Sequence, residues 1–180
     1  MATEPKTYTM NPFTKATLDA TKKAWDLQLK KHQEDLLSWE WQRVLEDAAS
    51  KIDYSKGDQF AYGIFEDGCD TAEAIVLLVY RKEAKKWLKL LELNLSPSVD
   101  LSFSDQTLDI QQLSSIFGAA VIGTIRLTGT AHPTKVTKLY GRSGTLLSFL
   151  KGVGAYIERE AQIKGLRVSI QGRWLVFQYE

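Results

Sequence analysis

Cysteine is almost missing. Cys69 is the one thiol in 180 residues, which excludes an internal disulfide and a thiolate cluster for zinc or iron–sulfur chemistry. Its setting, Asp67-Gly68-Cys69-Asp70, reads as a turn. Histidine is nearly as scarce. His32 falls in a charged run of helical character, and His132 precedes Pro133 in a loop signal. Neither has a ligand or triad partner at a recognisable spacing, so no metal site and no catalytic histidine are expected. Charge of one sign is also lacking: 23 Lys and Arg face 22 Asp and Glu, a formal net charge of +1. That balance argues against a large phosphate-neutralising surface, and no nucleic-acid partner is expected. The densest basic runs, Lys22-Lys23, Lys30-Lys31 and Lys82 to Lys86, have acidic neighbours and read as solvated faces. Long hydrophobic runs are missing too. The most apolar stretches, Ile75 to Tyr80 and Phe117 to Ile125, fall short of the roughly 20 residues that span a bilayer. The opening Met1 to Lys15 has no signal-like apolar core. No membrane segment is expected, and a cytoplasmic location follows. Phosphate-loop, dinucleotide, nucleophile-elbow and zinc-protease motifs are all missing.

What is present is ordinary for a globular chain: 44% hydrophobic and 25% charged residues. A domain of this size buries roughly 70% of the surface its unfolded chain exposes, enough for a core without staples. Residues 1–13, bracketed by Pro5 and Pro12, read as a flexible N-terminus. Residues 14–180 read as one domain, helical over 14–52 and built of sheet and helices over 58–180.

Leu18, Trp25, Leu29 and Leu36 recur near helical spacing, and Leu37, Trp41, Val44, Leu45, Ala48 and Ile52 mark one face of a second helix. Tyr54 to Asp58 breaks the pattern. Phe60, Tyr62, Ile64 and Phe65 form a strand ending in the turn at Glu66-Asp67-Gly68, and Ala74 to Tyr80 reads as a strand covered on both faces. Leu91 to Leu95 alternates as a strand does, although its leucine content also permits a helix. Three strands with short turns imply an antiparallel meander. Ser98 to Gln106 reads as a loop, and Leu108 to Val121 as a helix buried on a broad face. Lys135 to Tyr140 is a strand, Gly141 to Gly144 a tight turn, Leu146 to Val153 a helix, and Leu166 to Tyr179 a hairpin about Gln171-Gly172. Ala155 to Lys164 fits either a helical extension or a strand. The fold class is α/β (α+β), with a mixed, mostly antiparallel central sheet flanked by helices.

This order resembles the GNAT (GCN5-related N-acetyltransferase) fold. There, two helices follow a first short strand, and three antiparallel strands, a helix, a fifth strand, a helix and two final strands complete the domain. The segment Ser143-Gly144-Thr145-Leu146-Leu147-Ser148-Phe149-Leu150-Lys151-Gly152-Val153-Gly154-Ala155 is similar to the family's late motif, Asn-x-x-Ala-x-x-Phe-Tyr-x-x-x-Gly-Phe. Phe149 and Gly154 stand at its aromatic and glycine positions, with the apolar Val153 immediately before the glycine. A similar Phe-Leu-Lys-x-x-Gly-Ala string occurs in GNAT-like internal virion proteins of short-tailed phages, which implies a virion location if the chain is phage-encoded.

The resemblance implies a site that is degenerate here. Leu150 stands where the family places the tyrosine that protonates the CoA thiolate, and an alkyl group donates no proton. The family's pyrophosphate loop, Arg/Gln-x-x-Gly-x-Gly/Ala, corresponds to Ser96 to Asp105, which has no glycine and carries Asp100 and Asp105. No cofactor is therefore expected, and the chain reads as a protein-binding or structural module in a larger assembly. Contact surface would come from Trp25, Trp39 and Trp41, taken as exposed, and from Trp174, Phe177 and Tyr179, with Trp174 itself read as core. The alternative is an acyl-CoA-dependent N-acetyltransferase that uses acetyl-CoA through atypical contacts. Its cofactor-binding residues would be Gly141, Arg142, Ser143, Gly144 and Thr145, a turn whose N–H groups could hold an anion but which strand-to-helix geometry explains equally well. Its general base would be Glu92, and its acid Tyr140 or Tyr156.

Overall fold

The computed structural model describes residues 6–32, 38–83, 85–104, 110–141, 144–156 and 165–180. Its elements run β1 (Tyr8–Pro12), α1 (Lys15–His32), α2 (Ser38–Ala49), β2 (Gln59–Glu66), β3 (Ala72–Arg81), β4 (Trp87–Leu95), α3 (Pro97–Ser104), α4 (Ile110–Leu127), β5 (Val136–Tyr140), α5 (Gly144–Tyr156), β6 (Leu166–Gln171) and β7 (Trp174–Tyr179). The strands hydrogen-bond in the order β1-β2-β3-β4-β5-β7-β6. β1 pairs antiparallel with β2, and β7 with both β5 and β6, whereas β4 and β5 run parallel. A parallel pair needs a crossover of a dozen or more residues, and α3 and α4 supply it. This is the expected mixed sheet, with the element order of the GNAT fold and one additional short helix.

Two readings change, and one left open between helix and strand resolves in part. Residues 8–12, expected in a flexible N-terminus, form an edge strand in register with Pro12 opposite Tyr62 and Tyr8 opposite Glu66. Ser98 to Gln106, expected as a loop, begins within α3, because Pro97 is pre-set for a first helical turn. Ala155 and Tyr156 extend α5, and residues 157–164 lie outside the described residues.

The chain divides into two units, Met1–Leu77 with Leu93–Gly123 and Leu78–Glu92 with Thr124–Glu180. In the first, α1 and α2 bury Leu18, Trp25, Leu29, Trp41, Leu45 and Ala48 against Phe13, Ala61, Phe65, Ala72 and Ile75. The indoles are also tied to strand ends. Trp25 Nε1 donates to Ala72 O at 2.8 Å, and Trp41 Nε1 donates to Leu95 O at 3.2 Å. Thr21 Oγ1 donates to Thr17 O and accepts from Ala72 N at 2.9 Å, fixing α1 to the start of β3. Trp25 and Trp41, expected on the surface, are thus core; Trp39 is 55% exposed. The phenol of Tyr54 accepts from Phe13 N and donates to Ala61 O, and burial holds it well above the ordinary tyrosine range.

In the second unit α5 packs on β6 and β7, and Leu88, Leu139, Leu150, Leu175 and Phe177 are buried. His132 is buried with its ring 5.0 Å from Tyr80, whose hydroxyl donates to Pro133 O. Burial first, and Lys82 second, hold this imidazole below the ordinary histidine range.

Candidate functional site

The first place to look for a phosphate cradle is the turn that opens α3, since a helix's first N–H groups have no partner within the helix and attract anions. Here they are taken. Pro97 has no N–H, Ser98 N donates to Gln28 Oε1 at 3.2 Å, and Val99 N and Asp100 N both donate to Ser96 O, at 3.1 and 2.9 Å. Ser96 is locked in turn: its N donates to Glu73 O and its hydroxyl to Glu73 Oε2, both at 2.8 Å. Partial burial and the nearby Glu40 raise the Asp100 carboxyl above the ordinary range. A pyrophosphate does not fit a turn with no free donor and a carboxylate in it.

The second place is the turn between β5 and α5. Gly141 is buried and both its backbone groups are used: its N donates to Arg173 O, and its O accepts from Arg173 Nε, each at 2.8 Å. A Cβ there would lie 2.9 Å from Leu147 Cα. Close approach of α5 thus accounts for this glycine. Gly144 has open space around it. Arg142 and Ser143 lie outside the described residues, as does the side chain of Thr145. Farther along α5, a Cβ on Gly154 would meet Leu175 Cδ1 at 2.8 Å and Val168 Cγ1 at 3.3 Å, so the motif's glycine is a helix-to-sheet contact. Leu150, at the position of the family's acid, is 3% exposed and belongs to the core.

The three candidate catalytic side chains are not assembled. Glu92 is exposed on β4, beyond Leu90↔Leu139, the last pair of the β4–β5 ladder. Successive strand residues face opposite sides, which sets Glu92 on the side of Leu88 and Leu90. Tyr140 shares the other side with Lys138, and its ring lies 4.7 Å from Trp174. A base and an acid on opposite sides of one sheet cannot serve one substrate atom. The side chain of Tyr156 lies outside the described residues.

Two features escaped sequence reasoning. Asn94 Nδ2 on β4 is a buried donor with no hydrogen-bond partner among the described residues, as is Thr137 Oγ1 on β5. Nothing in the local sequence marks either, because orphaning depends on what the rest of the chain brings near. The other is the side of the sheet where Tyr140 lies. The ammonium of Lys89 sits 4.1 Å from the centre of the Trp87 ring and 4.9 Å from that of Trp174, and Lys89 is the register partner of Lys138. Burial, then Lys138 and Arg81, lower the Lys89 pKa. Among the described residues no group of three His, Cys, Asp or Glu could hold a metal ion.

No protein-family profile and no curated protein matches the chain. Among solved structures, it resembles the N-acetyltransferase PseH of Campylobacter jejuni at 10% identity and a TM-score of 0.43, over 94% of this chain and 95% of that one. The same enzyme in complex with acetyl coenzyme A matches at 10% identity and 0.43, over 96% and 99%. An acetyltransferase from Streptococcus agalactiae matches at 9% identity and 0.40, over 99% and 100%. Similarity this low carries no argument about activity.

Proposed function

We propose that this chain is a GNAT-fold protein that has lost acetyl transfer and serves as a protein-binding or structural module, with a place in a virion if it is phage-encoded. The observation that carries the reading is the opening of α3, where Gln28 and Ser96 use the N–H groups a pyrophosphate would need. The buried Leu150 in place of an acid points the same way. Trp39 and Leu27, 55% and 61% exposed on α2 and α1, and Ile110 and Ile122 on α4 are among the large apolar side chains available for a protein contact. Calorimetry with acetyl-CoA tests the loss. No heat at millimolar ligand is expected, and micromolar binding would overturn the reading. Crosslinking that recovers only free monomer would count against the binding role.

The second reading, acyl-CoA-dependent N-acetyl transfer through atypical contacts, is favoured by the orphaned Asn94 Nδ2, a buried donor suited to a ligand carbonyl. If it holds, acetyl-CoA binds, Asn94→Ala weakens that binding, and Glu92→Gln abolishes turnover.

A further inference from the structure

The strands β4, β5 and β7 put opposite chemistry on their two sides. On one lie Leu88, Leu90, Leu139, Leu175 and Phe177, all buried. On the other lie Trp87, Lys89, Lys138, Tyr140 and Trp174, all half-buried, together with the buried Val176, the register partner of Lys138. The register makes Lys89 and Lys138 direct neighbours and sets Tyr140 opposite Trp174. Like charges directly opposite each other on adjacent strands destabilise a sheet, so this lysine pair is a cost the fold carries. No acidic residue occurs in β5, β6 or β7, and the one in β4, Glu92, alternates to the other side. Arg173 extends the positive charge, with its guanidinium 6.0 Å from the Tyr140 ring centre.

We propose that this side of the sheet binds single-stranded nucleic acid, with phosphates on Lys89, Lys138 and Arg173 and bases stacked on Trp87, Trp174 and Tyr140. Cations that trace a backbone, set among rings that stack on any base, make the shared design of such surfaces. An acidic protein would need the charges but has no use for the rings. A free nucleotide would use one ring and one cation, whereas these span three strands, a width of about 10 Å. The balanced net charge hides the patch, because these strands carry lysines with no acidic residue in β5, β6 or β7. The proposal is independent of acetyl transfer.

The test is a titration of the full chain with fluorescein-labelled oligo(dT), read by anisotropy and by tryptophan quenching. Micromolar binding that weakens with salt is expected. Lys89→Ala and Lys138→Ala should each lower the salt slope by about one, and Trp174→Leu should cost about tenfold in affinity and much of the quenching. Lys15→Ala, on the exposed start of α1, should change nothing. Circular dichroism confirms that each variant is folded, and because Lys138 is only partly buried its variant keeps the test open if Trp174→Leu fails to fold. Four results would each overturn the proposal: no binding at about 100 µM oligonucleotide, equal loss in Lys15→Ala, polyglutamate binding as tightly, or AMP competing as strongly as the oligonucleotide.

Discussion

The two sides of β4, β5 and β7 are made by the same backbone and differ only in which alternate residues they present. One side is closed by α5, whose Gly154 lets the helix press on Leu175 and Val168. The other carries Lys89 over two indole rings and, within β4, β5 and β7, no carboxylate. The difference teaches where stability and recognition reside here: the closed side is optimised for packing, whereas the open side keeps a like-charge pair that packing alone would remove.

The largest effect should come from breaking the closed side. Leu175→Ala removes a fully buried side chain and should cost about 2–5 kcal/mol in a denaturant melt. Gly154→Val overfills the same contact and should cost about 1–3 kcal/mol. Adding Leu175→Val to Gly154→Ala should recover part of the loss, because the two side chains meet. On the open side the sign should reverse. Lys138→Glu converts a repulsive cross-strand pair into an attractive one and should raise stability by about 0.2–1 kcal/mol, while abolishing oligonucleotide binding. The smallest effect is read through pH at His132. Its folded pKa lies below the unfolded value of about 6.5, so the unfolded chain takes up the proton first. Its contribution is present above that pH and lost as pH falls through the folded pKa. His132→Phe should flatten that slope in melting temperature between about pH 7 and 5.

Sequence reasoning reached the core through periodicity, and the places where it failed share a cause. Trp25 and Trp41 lie on apolar stripes, but a stripe tells which residues share a face, not what covers it; the carbonyls of Ala72 and Leu95 that hold the indoles come from distant strands. Tyr8–Pro12 pairs only because β2 lies beside it. Gly154 is small for a tertiary reason that local pattern does not show: a Cβ there would lie 2.8 Å from Leu175 Cδ1. Glu92 and Tyr140 looked like an acid–base pair until the register put them on opposite sides.

By itself the sequence determined the order of the elements other than β1 and α3, the mixed sheet and the missing phosphate glycines, since these follow from local pattern and residue chemistry. Tertiary structure decided that Gln28 takes the Ser98 N–H of α3, which tryptophans are buried, and that Lys89 and Lys138 become neighbours. Each of those depends on pairing between segments far apart in the chain, and strand register, which local pattern does not specify, brings them together.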